Sequence, residues 1–158
     1  MLFRSSLPFG VFSRSPEDTE RQGCQLGRNF SNKPGSAPGA LVLLSGSLGA
    51  GKTVWTRGFA QGLGIPAEVH SPTFTVMNVY KGTPQSLYHL DLYRLQCFEE
   101  VADLGLFEII EDGHICVIEW ADRVAPLAEW SHLAVHLETL AEDDSRRISW
   151  RWVKGPRS

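Results

Sequence analysis

The sequence predicts an α/β fold in which a mostly parallel central sheet is flanked by helices and closed by a C-terminal antiparallel hairpin. Three observations carry this. Ala40–Ser45 and Ile115–Ile118 are short unbroken apolar runs, the pattern of strands covered on both faces in a parallel sheet. Between them, Lys52–Leu63 sets Val54, Trp55, Phe59 and Leu63 at helical spacing, as a crossover between parallel strands requires. Further on, Leu133, Val135 and Leu137, then Ile148, Trp150 and Trp152, alternate with polar residues on either side of Ala141-Glu142-Asp143-Asp144-Ser145, which is the pattern of a hairpin. A chain of 158 residues, 42% hydrophobic and 21% charged, can close one core around such a sheet.

In chain order, residues 1–15 read as a tail with no predicted element, residues 16–153 as the domain and 154–158 as a second tail. Ser15-Pro16-Glu17-Asp18 is a helix start: a capping hydroxyl, proline at the first helical position and acids at the positive dipole end, with the helix running to about Phe30. Ser31–Gly39 is loop, because proline and glycine punctuate it while asparagine and serine compete for backbone hydrogen bonds. The Lys52–Leu63 helix is closed by Gly62, Gly64 and Pro66. Thr73–Tyr80 and Leu87–Leu92 read as strands around Lys81-Gly82-Thr83-Pro84, and Phe98–Glu111 as helical pieces before the buried strand at Ile115–Ile118.

A formal charge of −3 argues against wholesale coating of nucleic acid, which calls for a basic domain or stripe. The charge is segregated all the same. Residues 99–144 hold thirteen acids against one base, and residues 145–158 hold five bases and no acid. These read either as solvated faces or as docking surfaces for partners of opposite charge. No run approaches the roughly 20 apolar residues that cross a bilayer, so no membrane association is expected. Pro8, Gly10 and Arg14 interrupt any secretory apolar core, and Cys24, Cys97 and Cys116 match neither a metal pair nor a disulfide framework. A cytoplasmic location is expected.

The chemistry lies at the strand–helix junction, where Gly46-Ser47-Leu48-Gly49-Ala50-Gly51-Lys52-Thr53 fits the phosphate-binding pattern G-x-x-x-x-G-K-[ST] and makes the expected fold P-loop NTPase-like. Glycines let backbone N–H groups turn inward around a phosphate, the helix that follows adds its positive end, Lys52 reaches the β- and γ-phosphates, and the Thr53 hydroxyl ligates magnesium. Chance alone gives the four fixed letters in roughly one chain in two hundred of this length. The buried strand before and the helix after lower that further. Such a site also needs a carboxylate ending a second buried strand, and both Glu119 and Asp91 meet that description.

With these residues in view the chain resembles the TsaE family, the small P-loop ATPase of bacterial tRNA threonylcarbamoyladenosine synthesis. The likeness rests on G-x-L-G-A-G-K-T, Ser71-Pro72-Thr73-Phe74, His89-Leu90-Asp91-Leu92-Tyr93-Arg94 and Ile118-Glu119-Trp120, in that order, and covers roughly residues 16–153. The resemblance implies ATP or ADP with Mg²⁺ as cofactors, Thr53 and Glu119 as metal ligands, and Asp91 as a residue needed for hydrolysis beside Lys52. It also implies Thr73 as a γ-phosphate sensor in a switch-like loop, and Trp120 as a neighbour of the site. For Thr19 it suggests a place near the adenine, where the residues alone allow a helix-surface threonine. The implied partners are the transferase subunits of the TsaD and TsaB type, with tRNA contact left open. One departure is Ser47, where the family usually has aspartate, so that a negative charge is missing beside the phosphates.

Other residues carry two readings each. His89 is either a proton carrier or a structural histidine within an apolar strand. Trp130, Trp150 and Trp152 are either core or a stacking surface for bases. Arg146, Arg147, Arg151, Lys154 and Arg157 are either a solvated basic end or a contact for tRNA or an acidic protein. The function expected is an ATP-hydrolysing accessory subunit of the machinery that makes N6-threonylcarbamoyladenosine at tRNA position 37. The alternative is a small-molecule kinase, disfavoured because about a hundred residues follow the phosphate loop and none form an arginine-rich lid.

Overall fold

The structure, a computed structural model, describes residues 9–31, 39–66, 68–95 and 97–157. Its seven strands are β1 (Phe9–Ser13), β2 (Ala40–Gly46), β3 (Met77–Tyr80), β4 (Leu87–Asp91), β5 (Ile115–Glu119), β6 (His132–Thr139) and β7 (Arg146–Val153). The helices are α1 (Pro16–Ser31), α2 (Lys52–Gly62), α3 (Phe98–Asp103) and α4 (Leu106–Glu111), with two 3₁₀ turns at Ala121–Arg123 and Ala125–Glu129. One sheet runs in the order β1-β7-β6-β2-β5-β4-β3. The central four strands, β6-β2-β5-β4, are mutually parallel, and antiparallel pairs flank them: β6 with β7, β7 with β1, and β4 with β3.

The unbroken apolar runs have the physical cause expected of them. Val42 and Leu44 of β2, with Ile115 and Val117 of β5, pack into a core with Leu26, Phe30, Trp55 and Phe59 of α1 and α2. The alternate residues Leu41, Cys116 and Ile118 enter a second core with Leu90, Val101, Leu106 and Leu127. With both faces covered, alternation along the strand disappears. Trp55 stacks on Phe59 at 5.0 Å, and Phe30 meets the same ring edge-on at 5.4 Å.

Several expectations change. The strand expected at Thr73–Tyr80 begins only at Met77, because the Pro72 carbonyl accepts both Thr75 N–H (3.2 Å) and Val76 N–H (2.8 Å). Val76 then reverses the chain at φ 66°, so a turn overrides the β-branched composition. Phe9–Ser13, read as tail, is a strand instead: it pairs with β7 from Phe9↔Trp150 to Ser13↔Arg146, a long-range partner that local pattern does not reveal. Residues 1–8 of that expected tail lie outside the described residues, as do 32–38 of the expected loop. The expected tail 154–158 is also tied down over 155–157. There the Arg157 N–H donates to Glu129 O (3.2 Å), Ser131 N–H to Arg157 O (2.9 Å), and Gly155 N–H to Ser131 Oγ (3.1 Å).

Two of the three tryptophans pack on the cores, while Trp152 is exposed on β7. Trp150 packs on the first core and Trp130 on the second, where it stacks on Phe107 at 4.1 Å. All three cysteines are free, and burial pushes the Cys116 thiol up to about 12. Among the described residues no helix is long and apolar enough to cross a membrane.

Candidate functional site

Parallel pairing brings the carboxyl ends of β2, β5 and β4 to one edge of the sheet, in the register Leu44↔Glu119 and Asp91↔Glu119. That edge is where open α/β sheets form their ligand crevices. The chain leaves β2 through Gly46 (φ 146°), Gly49 (φ 78°) and Gly51 (φ 100°) before entering α2. The first and second of these glycines serve different ends. At Gly46 a Cβ would stand 2.4 Å from Leu137 O, so close approach to β6 demands glycine. At Gly49 nothing lies within 4 Å, and only the left-handed backbone does. Lys52 Nζ folds back to donate to Gly46 O (2.9 Å) and Ser47 O (3.0 Å) and lies 4.4 Å from the Trp120 ring centroid. Burial lowers the Lys52 pKa, opposed by the charges of Glu119, Asp91 and Asp122.

The two strand-end carboxylates are held differently. Glu119 Oε1 accepts from Thr53 Oγ1 (3.1 Å) and lies 2.8 Å from His89 Nε2. Asp91 spans the turn beside it: Oδ2 accepts from Thr73 Oγ1 (3.1 Å) and Oδ1 from Tyr93 N–H (2.8 Å), while Ser71 Oγ and Thr73 Oγ1 are 2.7 Å apart. Trp120, directly after Glu119, takes a left-handed conformation (φ 60°), rare for so large a side chain, and this conformation opens the Ala121–Arg123 turn.

A cleft of about 280 Å³ results, lined by Leu48, Gly49, Gly51, Lys52, Thr53, Thr73, Asp91, Glu119 and Trp120 among others. The sequence-derived site residues are thus largely in one place. Gly46, Ser47 and Ala50 complete the loop but do not line the cleft, and Ala50 is buried beneath it. Leu48 of the lining, Phe74 next to Thr73, and Tyr93, whose ring lies 5.3 Å from that of Trp120, stand exposed, with Arg94 over the Phe74 ring (5.2 Å) and Arg123 over the Tyr93 ring (5.0 Å). Larger surface hollows occur elsewhere, one of them along α1 from Glu17 to Arg28, but its lining contains no residue of the glycine-rich loop.

Thr19 does not lie on a helix surface. It is buried, its Oγ1 sits 2.7 Å from Ser13 Oγ and donates to Ser15 O (3.3 Å), and its methyl underlies Gly51, outside the cleft lining. Arg146 was read only as part of the basic end, yet its Nε donates to Ala50 O (3.2 Å), Nη2 to Gly49 O (3.4 Å) and Nη1 to Asp144 O (2.7 Å). Nothing local in the sequence marks it. The pairings Gly46↔Leu137 and Thr139↔Arg146 are what carry the start of β7 to the back of the loop.

Residues 13–148 match the family model described as Threonylcarbamoyl adenosine biosynthesis protein TsaE, a span that contains the loop, both strand-end carboxylates and Arg146. The chain belongs to the TsaE family. Among TsaE relatives, the tRNA threonylcarbamoyladenosine biosynthesis protein TsaE of Treponema pallidum (strain Nichols) is 42% identical over 137 residues, which is 87% of this chain and 96% of that protein. The protein of the same name from Bacillus subtilis (strain 168) is 42% identical over 116 residues, 73% of this chain and 72% of that one. The crystal structure of Bacillus subtilis YdiB superposes with a TM-score of 0.70 at 32% identity, covering 92% of this chain and 87% of that one. The expected P-loop-like α/β architecture is therefore the TsaE architecture.

Proposed function

We propose that this TsaE-family chain binds ATP and ADP with Mg²⁺ at Gly46–Thr53, and that it hydrolyses ATP as the accessory subunit of tRNA N6-threonylcarbamoyladenosine modification. The observation that carries the proposal is the meeting of the Thr53 hydroxyl with the Glu119 carboxylate, 3.1 Å apart, at the N-terminal end of α2 and beside a glycine-rich loop. These are hard oxygen donors of the kind Mg²⁺ prefers, so the residues present fit the ion. When bound, the ion would be held by Thr53 and Glu119 and would supply positive charge against the negative charge developing on the phosphates.

The remaining work falls to the chain's own groups. The N–H groups of the loop cradle phosphate, and Lys52 exchanges its two carbonyl partners for phosphate oxygens, its ammonium kept in place by the Trp120 face. Asp91, with one oxygen fixed by Tyr93 N–H, uses the other to orient the attacking water or to hold Thr73 in reach of a γ-phosphate. Ser47 brings no charge to this set, so the loop binds through backbone donors.

The cleft is open, and the exposed Leu48, Phe74 and Tyr93 around it suit closure by another protein. We take that protein to be a transferase subunit of the TsaD or TsaB type, with hydrolysis slow in the isolated chain. Calorimetry with ADP and Mg²⁺ tests the site: Lys52→Ala is expected to weaken binding at least about tenfold, a loss of about 1.4 kcal/mol. A variant binding as tightly as the parent would remove the phosphate-loop reading. Phosphate release from ATP, measured with and without the transferase subunits, tests the accessory role. Full turnover by the isolated chain, with no gain on assembly, would bring the kinase alternative forward.

A further inference from the structure

We infer that His89 is a positioning residue for Glu119, holding one carboxylate oxygen so that the other oxygen and the Thr53 hydroxyl are free to serve a divalent cation. The inference rests on the proposed role of Glu119 and deepens it.

His89 lies on β4 with its side chain fully buried, and Nε2 is 2.8 Å from Glu119 Oε1. Its other ring nitrogen, Nδ1, is buried and has no hydrogen-bond partner among the described residues. The two facts together fix the tautomer. A proton on Nδ1 would be a buried donor without an acceptor, and it would leave the Nε2 lone pair facing carboxylate oxygen. The proton therefore sits on Nε2 and is donated to Oε1. Thr53 Oγ1 donates to the same oxygen at 3.1 Å. Of these two donors only the threonine is half-exposed in the cleft, able to turn its oxygen outward. The histidine is enclosed by the sheet and has nowhere else to donate. Buried donors of this kind orient metal-ligating carboxylates, and losing them typically costs about 10- to 100-fold in metal affinity.

The test compares the parent with His89→Gln, His89→Asn and His89→Leu, using ADP and MgCl₂ as probes. Glutamine sets an amide N–H near the place of Nε2. Asparagine is too short to reach Glu119, and leucine has no donor. Calorimetry gives the ADP affinity without Mg²⁺ and the Mg²⁺ concentration that half-saturates its enhancement, while circular dichroism and thermal melting report folding. The expected result is an Mg²⁺ requirement raised about tenfold or more in Asn and Leu, changed less than about threefold in Gln, with Mg²⁺-free ADP affinity within about twofold throughout. A merely structural histidine would lower melting temperature or ADP affinity in all three and leave the Mg²⁺ requirement alone, which overturns the inference. Should His89→Leu not fold, the Asn and Gln pair decides: equal Mg²⁺ requirements overturn it. A parent whose ADP affinity ignores Mg²⁺ overturns the metal reading itself, and the unsubstituted protein alone reports that.

Discussion

The charged side chains of the cleft, Lys52, Asp91 and Glu119, are buried, so their substitutions separate chemistry from folding only when shape is kept. Asp91 is 4% exposed and held by Tyr93 N–H and Thr73. Asp91→Asn keeps an acceptor for Tyr93 and removes the charge. ADP affinity and melting temperature are expected to stay near the parent's, while ATP turnover in the assembled complex falls about 100-fold or more, the scale of a lost proton-transfer or water-orienting group. Unchanged turnover with unchanged binding would end the catalytic assignment. A second residue sets a pH limit. His132 is buried, with Nδ1 donating to Trp130 O at 2.6 Å, and burial lowers its pKa in spite of that bond, with the charge of Arg151 acting in the same direction. The unfolded chain therefore takes up a proton near the ordinary value of about 6.5 before the folded one does, so the contribution is complete above that pH and declines as pH falls toward the lowered value. Melting temperatures recorded from pH 7.5 down to 5.5 should fall more steeply for the parent than for His132→Gln. Parallel curves would rule the histidine out.

At the scale of elements, the junction of α1 with α2 depends on four glycines. A Cβ at Gly58 would stand 1.8 Å from Glu20 O, at Gly62 2.2 Å from Cys24 O, at Gly23 2.2 Å from Trp55 O and at Gly27 2.3 Å from Phe59 O. Backbone meets backbone at each, so no side chain can yield. Alanine improves intrinsic helix preference by about 1 kcal/mol, yet overpacking of this kind costs about 1–3 kcal/mol or more, and here sterics win. Gly58→Ala is expected to lower melting temperature by several degrees, on the scale of about 2–4 °C per kcal/mol for a chain this size. The effect should reach function as well. Splaying α1 from α2 shifts Thr19 away from Gly51, so ADP affinity should drop with stability. A Gly58→Ala protein as stable as the parent would contradict the packing account.

Across the whole molecule, charge is sorted by location. Glu99, Glu100, Asp103, Glu108, Glu111 and Asp112 are exposed on and just after α3 and α4, whereas Arg147, Arg151, Lys154 and Arg157 are exposed on and after β7. Arg147 and Arg157 are partly offset by Glu138 and Glu129, surface pairs of small energetic weight. If either face guides assembly with the transferase subunits, co-purification and the gain in ATP turnover should both weaken as ionic strength rises, because screening shortens from about 10 Å at 0.1 M to about 3 Å at 1 M. Indifference to salt across that range would leave the two faces as solvated surface and place docking on the apolar rim of the cleft.

The sequence by itself determined the loop Gly46–Thr53, the buried strands at Ala40–Ser45 and Ile115–Ile118, the first two helices and the C-terminal hairpin. All of these are signalled within short windows by glycine chemistry, helical periodicity or unbroken apolar runs. Only the tertiary structure decided the rest. Phe9–Ser13 is a strand because β7 offers an edge more than a hundred residues away, and residues 72–76 form a turn because one proline carbonyl captures two amides. Thr19 is buried because α1 enters beneath the loop. Arg146 and His89 owe their places to register, the first through β6 beside β2 and the second through β4 beside β5. A residue's type and its near neighbours state what it can donate or accept. Which group it meets depends on strands distant in the chain lying side by side, and that is settled only when both faces of the sheet are covered and the register is locked.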